Sequence, residues 1–147
     1  MAPISTAFSD VPHVIQLAIA PVFLLSANGT ILSVLSARLG RIVDRMRVLI
    51  DRREGAAEER AKKLEAELLL LVRRRAIINQ AITGVTVAAL LVCVLIGAAF
   101  VGSLVDANTG VLIAALFVLA MVAFITGLVA FLREVMVASG STHVEFH

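Results

Sequence analysis

Three long stretches of the chain contain no formally charged residue. They cover residues 11–37, 76–105 and 107–132, and each exceeds the length of about 20 helical residues that crosses a hydrocarbon core. The apolar runs are continuous, whereas the strands of a membrane β-barrel alternate with period two. Only Asp106 and the turn-forming residues 108–110 separate the last two stretches. The pattern therefore predicts an all-α integral membrane protein whose three transmembrane helices include a tight hairpin.

The segment between the first and second spans carries a second apolar pattern, with the 4-3-4-3 spacing of a coiled-coil seam. The spacing occurs once before Gly55 and once after it, and Gly55 is suited to ending the first helix in a left-handed conformation. The pattern therefore predicts an antiparallel coiled-coil hairpin over residues 38–75. We expect both of its helices to continue into the spans, so that the second helix covers about 57–103. The seam positions are Leu35, Leu39, Ile42, Met46 and Leu49, then Ala57, Ala61, Leu64, Leu68 and Leu71.

Basic residues set the orientation in the membrane. Twelve of the 13 basic residues lie between Arg38 and Arg75, and the other is Arg133. The positive-inside rule then places the hairpin and the tail 133–147 in the cytoplasm, and the N-terminus and the Asp106 turn outside. Nothing basic precedes the first span and its apolar run is too long for a signal peptide, so we expect it to be retained. In a bacterium this membrane is the inner membrane.

Composition narrows the functional classes. Apolar residues make up 60% of the chain and charged residues 16%, with a mean hydropathy of +1.00, too apolar for a soluble enzyme or a disordered tail. The single cysteine, Cys93, excludes a disulfide scaffold, and the small, localised charge gives no reason to expect nucleic acid. His143 and His147 form only a weak H-x3-H pair. We expect one membrane domain over 1–147, without enzymatic activity, cofactor or metal.

Polar residues inside the spans are the first candidates for a functional site. They fall on one stripe of each helix, about 100° wide on the first span and about 80° wide on the second. Either the stripes pack against other helices or they line a hydrated path. Pro21 removes a backbone hydrogen bond and predicts a kink in the first span. The candidate path-lining residues are Gln16, Ser26, Thr30 and Ser33, then Asn79, Thr83 and Thr86.

Charged residues near the inner membrane surface form a second candidate site. Arg38, Arg41, Asp44 and Arg45 follow the first span and would stand at the cytoplasmic mouth of a path. The run 73–75, comprising Arg73, Arg74 and Arg75, precedes the second span and is expected to attract anionic headgroups, at about 1 kcal/mol per basic residue. The alternative is a solvated charged face around the coiled-coil seam.

Two runs of residues carry a family resemblance. They are A-P-V-F-L-L-S at 20–26 and R-L-G-R-I-V-D-R-M-R at 38–47. The chain resembles a family of small bacterial membrane proteins, classed as a domain of unknown function, in which a proline-containing first span runs into an R-L-x-R-I-x-D-R-x-R helix and two more spans follow. The resemblance implies three spans and no particular activity. Its signature positions would be Pro21, Arg38, Arg41, Asp44, Arg45 and Arg47.

Two functions fit this architecture. A single three-span protomer has no room for a pore and leaves its polar stripes to be buried, so several copies could surround a narrow path lined by the first span, or by the first and second. The protein would then be a homo-oligomeric ion channel of the inner membrane. In the alternative, the spans anchor a coiled-coil adaptor that binds a protein partner or organises another membrane complex.

Overall fold

The described part of the chain is entirely helical. A computed structural model describes the backbone of residues 4–105 and 108–140 and the side chains of 15–16, 18–105 and 108–138. It contains the helices α1 (Ile4–Arg53), α2 (Glu58–Leu104) and α3 (Gly110–Gly140). All three are long and apolar enough to cross a membrane, which is the architecture of an all-α multi-pass membrane protein. Asp106, His143 and His147 lie outside the described residues.

The end of α1 and both ends of α2 lie close to the predicted points. α1 passes without interruption through Pro21 and through the predicted inner boundary of the span. α2 starts at Glu58, and the carboxylates of Glu58 and Glu59 in its first turn interact favourably with the positive end of the helix dipole. α3 continues beyond residue 132 to Gly140, so residues 133–140 of the predicted tail are helical. This extension matters because it carries an acidic side chain into the fold.

The connection between α1 and α2 differs from the expected one. The backbone N–H of Ala56 donates to the carbonyl of Arg53 over 3.2 Å, and Gly55 does not adopt a left-handed conformation. The prediction of a left-handed helix end at Gly55 is therefore wrong. A four-residue turn closed by such a bond can keep negative φ at both central residues, so it does not require the conformational freedom of glycine.

The chain divides into two compact units, each with parts of all three helices. Unit 1 comprises Met1–Ile31 and Gly84–Ile125, and unit 2 comprises Leu32–Thr83 and Thr126–His147. The interior of unit 1 is built largely from small and medium apolar residues of α2, which allow helices to approach closely. At its α2–α3 turn, a Cβ at Gly102 would collide with the side chain of Thr109. The buried apolar residues of unit 1 include Val85, Ala88, Val92, Leu95 and Ala120.

The interior of unit 2 brings together several residues of α1 and α2 at positions of the 4-3-4-3 spacing, with Ile78 and Ile82 of α2 from outside that spacing. Ile42, Leu49, Leu71 and Ile78 are buried in one cluster, and Leu35 is buried as well. Ala57, in contrast, is exposed. The side chains packed against the buried cluster are Leu39, Met46, Leu64, Leu68 and Ile82.

Burial recurs every seven residues along each helix. A spacing of seven returns a side chain to nearly the same face of a helix, because two turns take about 7.2 residues. The buried series are 21, 28, 35, 42 and 49 on α1, 71, 78, 85 and 92 together with 81, 88, 95 and 102 on α2, and 120, 127 and 134 on α3, where Ala130 is buried as well. Two of these positions hold strongly polar side chains, Asn28 and Glu134.

Candidate functional site

Unit 2 contains a buried carboxylate, that of Glu134. Its side chain is 1% exposed, and each of its oxygens accepts a hydrogen bond from a different arginine. Nη1 of Arg38 donates to Oε2 over 2.7 Å, and Nη2 of Arg74 donates to Oε1 over 2.9 Å. Because Arg38 belongs to α1 and Arg74 to α2, this carboxylate connects all three helices within unit 2.

The two arginines supply the hydrogen bonds that the carboxylate of Glu134 loses when it is removed from water, and their positive charge compensates its negative charge. An unpaired buried carboxylate is strongly unfavourable, and hydrogen bonds between ionised groups are shorter and stronger than neutral ones. The side chains of Arg38 and Arg74 stay 31% and 25% exposed, so both side chains keep part of their contact with solvent. The guanidinium of Arg38 also lies 5.2 Å from the ring centre of Phe131, close enough for a cation–π contact.

The local sequence of α3 explains why Glu134 faces inward. Gly127 and Ala130 are buried, and Phe131 is half-buried, which marks the inner face of the helix. Glu134 follows Gly127 by seven residues and Phe131 by three, so it continues the same face. The sequence analysis missed Glu134 because the apolar stretch ends at residue 132. The signal that could have found it is the spacing of seven from Ala120 and Gly127.

A cavity of about 370 Å³ opens beside this carboxylate. Four arginines line it, together with Glu134, and two apolar side chains, Ile42 and Leu71, complete its wall. The arginines are Arg38, Arg41, Arg45 and Arg74.

The four arginines differ in how far they are neutralised. Arg45 donates two hydrogen bonds, of 2.8 and 3.1 Å, to one carboxylate oxygen of Glu67. Arg41 forms no ion pair with any residue in the described part of the chain. The Nε of Arg74 is buried without a hydrogen-bond partner among those residues. The cavity therefore keeps an excess of positive charge, and the exposed Arg41 keeps unused N–H donors.

The structure thus brings together three of the four residues predicted for a cytoplasmic mouth. Arg38, Arg41 and Arg45 line one cavity. Asp44 does not line it: this side chain is exposed, and its nearest basic atom belongs to Arg47, 4.0 Å away. The side chains of residues 41 and 45 lie one turn apart on α1, whereas residue 44 projects about 60° away from residue 41 on one side and about 100° from residue 45 on the other.

The three consecutive arginines before the second span do not have equivalent surroundings. Arg74 pairs with Glu134 and lines the cavity. Arg73 and Arg75 are exposed. Successive residues project about 100° apart on a helix, so only one member of such a run can face a given neighbour. The attraction of these residues for anionic headgroups stays a prediction.

All seven candidate path-lining residues are exposed on the single chain. The hydroxyl of Thr30 donates to the carbonyl of Ser26 over 3.3 Å, and that of Thr83 to the carbonyl of Asn79 over 2.9 Å. The side-chain amides of Gln16 and Asn79 form no hydrogen bond to another described residue. On each helix the polar stripe lies roughly opposite the buried positions, so the structure places neither stripe in the interior of a unit.

Asn28 is a polar residue of the first predicted span that does not belong to the predicted polar stripe of that span. It is 1% exposed, and neither its Nδ2 nor its Oδ1 has a hydrogen-bond partner among the described residues. The signal that could have found it is its spacing of seven from Leu35, Ile42 and Leu49. Pro21, one further step of seven toward the N-terminus, is buried in the same series. Pro21 lines an apolar cavity of about 340 Å³ in unit 1.

Comparison with known protein families identifies the family of this chain. The model of a family described as "Protein of unknown function (DUF2721)" matches residues 18–144. No curated protein and no solved structure matches the chain significantly. Within the described residues, no group of three or more His, Cys, Asp and Glu side chains could hold a metal ion.

Proposed function

The chain belongs to the DUF2721 family of proteins of unknown function, and we propose that it is a homo-oligomeric channel of the bacterial inner membrane. In this proposal the polar stripes of α1 and α2 meet between subunits and border a hydrated path. One observation carries it: the stripe residues, from Gln16 to Thr86, are exposed on the protomer although they lie in its most apolar segments.

The cost of exposing amides to lipid supports association between subunits. Transferring an amide from water to a medium without hydrogen-bond partners costs roughly 2–7 kcal/mol of free energy. Gln16 and Asn79 are exposed and obtain no partner within the described chain, so lipid is an unfavourable neighbour for both. A second subunit, or water held between subunits, would supply the missing hydrogen bonds.

The hydroxyl groups favour a path over simple packing. Thr30 and Thr83 donate their protons to their own helices. Their oxygens therefore present lone pairs outward, where they can accept hydrogen bonds from water. Around a closed axis, copies of these oxygens would form a polar constriction.

The position of the charged segment completes the proposal. The positive-inside rule supports a cytoplasmic location for residues 38–75, and the cluster around Ile42, Leu49 and Leu71 supports an antiparallel coiled-coil hairpin there. A reporter fused after Gly55 should therefore indicate cytoplasm, and one inserted at Asn108 should indicate the outside. The reverse pair of signals would contradict the proposed orientation.

Reaction of introduced cysteines with water-soluble thiol reagents tests the path. The exposed native Cys93 is first replaced by Ala, and Thr30→Cys or Ser33→Cys is then introduced. A thiolate is the reactive species and forms where water reaches, so both cysteines should react. The matched control is Val118→Cys, because Val118 is 61% exposed on a helix without a polar stripe. Equal reactivity at all three positions, or none, would contradict the path.

The adaptor remains the second candidate function, and one observation favours it. Several large apolar side chains outside the predicted spans are exposed, among them Ile50, Leu69, Leu70 and Val72. Exposed apolar groups on a helix that projects from the membrane are suited to a protein partner. Purified protein in liposomes decides between the two: ion flux that Thr30→Leu reduces supports the channel, and flux no greater than in protein-free liposomes supports the adaptor.

A further inference from the structure

We propose that the cavity lined by Arg38, Arg41, Arg45 and Arg74 binds a phosphate-bearing anion. The shared chemistry is a phosphate group, carried by the headgroup of an anionic phospholipid or by free inorganic phosphate. The inference goes beyond the proposed channel and does not depend on it, because binding at this cavity requires no pore.

The charge of the cavity is the first argument. Four guanidinium groups line it, and two carboxylates, those of Glu134 and Glu67, pair with three of them. Two positive charges remain uncompensated. Arg41 has no ion pair among the described residues, which leaves its planar set of donors available. Arginine is the side chain best suited to bidentate recognition of phosphate.

The second argument is the role of Glu134. Its two oxygens hold one N–H group each of Arg38 and Arg74, and those residues keep further donors. A carboxylate that fixes two guanidinium groups in this way reduces the entropy they lose when an anion binds.

Size and position provide the third argument. A cavity of about 370 Å³ lies within the usual range for small-molecule sites, and the apolar side chains of Ile42 and Leu71 suit the carbon part of a headgroup. Arg38 directly follows the first charge-free stretch, and Arg74 lies two residues before the second. In a membrane these positions correspond to the depth of the headgroups.

Binding to the full-length protein tests the proposal, with Arg41→Gln as the main variant. Arg41 takes part in no ion pair within the described chain, so the variant should melt at the wild-type temperature in the absence of ligand. The matched controls are Arg73→Gln and Arg75→Gln, which remove the same charge from exposed arginines that do not line the cavity. Arg41→Lys tests whether the planar guanidinium is needed.

Two arms distinguish the sources of the phosphate. In the first, native mass spectrometry of detergent-solubilised protein compares the retention of phosphatidylglycerol with that of phosphatidylcholine. In the second, inorganic phosphate is titrated onto protein in phosphatidylcholine nanodiscs, with the melting temperature as readout and chloride at matched ionic strength as the reference. Preferential binding in the first arm identifies a lipid headgroup, and stabilisation by phosphate in the second identifies the free anion.

The expected effects are specific to the position of the arginine. Arg41→Gln should weaken anion binding about five- to tenfold, from the loss of one charged contact, and Arg41→Lys should fall between Gln and wild type. Arg73→Gln and Arg75→Gln should change it less than about twofold. Equal losses in all three Gln variants would reveal diffuse surface attraction and overturn the site, as would the absence of anion binding in both arms.

Discussion

Among the residues whose side chains are described, each of the two compact units buries one strongly polar side chain at a position of the seven-residue spacing. The two side chains differ in their partners. In unit 2, Glu134 receives one hydrogen bond from Arg38 and another from Arg74. In unit 1, the amide of Asn28 has no hydrogen-bond partner among the described residues. A buried charge cannot be kept without partners, whereas an unpaired amide costs about 1–3 kcal/mol and can be tolerated.

The comparison suggests two different roles for buried polarity in one chain. The carboxylate of unit 2 holds three helices together and orients an arginine-rich cavity. The amide of unit 1 resembles the single buried Asn that fixes register or subunit number in coiled coils at a cost in stability. Removing a partner of Glu134 should therefore weaken unit 2, whereas removing the amide of Asn28 should strengthen unit 1. Substitutions of Arg38 and Asn28 test this contrast directly, and substitutions of Leu49 and Gly102 measure the apolar packing of each unit.

The largest effect is expected at the carboxylate. Arg38→Ala leaves Glu134 buried with one partner, and the loss of a partner from a buried ion pair typically costs about 3–5 kcal/mol. Thermal or denaturant unfolding in detergent measures it. The control is Arg47→Ala, an exposed arginine 4.0 Å from Asp44, which should cost less than about 0.5 kcal/mol. The ion-pair explanation also requires Glu134→Leu to recover part of the stability in the Arg38→Ala background.

The apolar cluster of unit 2 should come next. Leu49 is buried against this cluster, and its replacement by Ala should cost about 2–4 kcal/mol through lost burial and the cavity that remains. Ile50 is the neighbouring control, because it is exposed and similar in size; Ile50→Ala should change the free energy of unfolding by less than about 0.5 kcal/mol. Equal effects of the two substitutions would contradict the observed burial.

A smaller loss is expected at the close contact in unit 1. Gly102→Ala places a methyl group against the side chain of Thr109, and overpacking of this kind costs about 1–3 kcal/mol. Thr109→Ala should restore stability in the double variant, because it removes the colliding atoms. Gly97→Ala is the matched control, since a Cβ at Gly97 meets nothing within 4 Å. A double variant as unstable as Gly102→Ala alone would exclude this contact as the cause.

The smallest effect has the opposite sign. Asn28→Leu removes an unpaired buried amide from unit 1 and should stabilise the detergent-solubilised protomer by about 1 kcal/mol. Asn79→Leu, which changes an exposed amide, should leave the stability of the protomer nearly unchanged. A destabilisation by Asn28→Leu of more than about 1 kcal/mol would mean that the amide is paired in solution, and the contrast between the units would fail.

The sequence by itself determined the helices and their approximate limits. Charge-free stretches and the basic segment between them depend only on local composition, which is why three long apolar helices could be predicted. The spacing of Leu39, Ile42, Met46 and Leu49 depends on the period of the helix, and these residues do belong to one cluster with residues of α2. The family could be recognised for the same reason, because the residues that carried the resemblance, 20–26 and 38–47, form continuous runs in this sequence.

Only the tertiary structure decided which polar residues are brought together. The two bonds to Glu134 join residues 96 and 60 positions apart in sequence, and they depend on the rotation and register of three helices in unit 2. Composition treats Arg73, Arg74 and Arg75 alike, but a rotation of about 100° per residue separates the one that pairs from the two that are exposed. Local periodicity therefore predicts which face of each helix is buried, whereas the side chain that meets that face comes from a distant part of the chain.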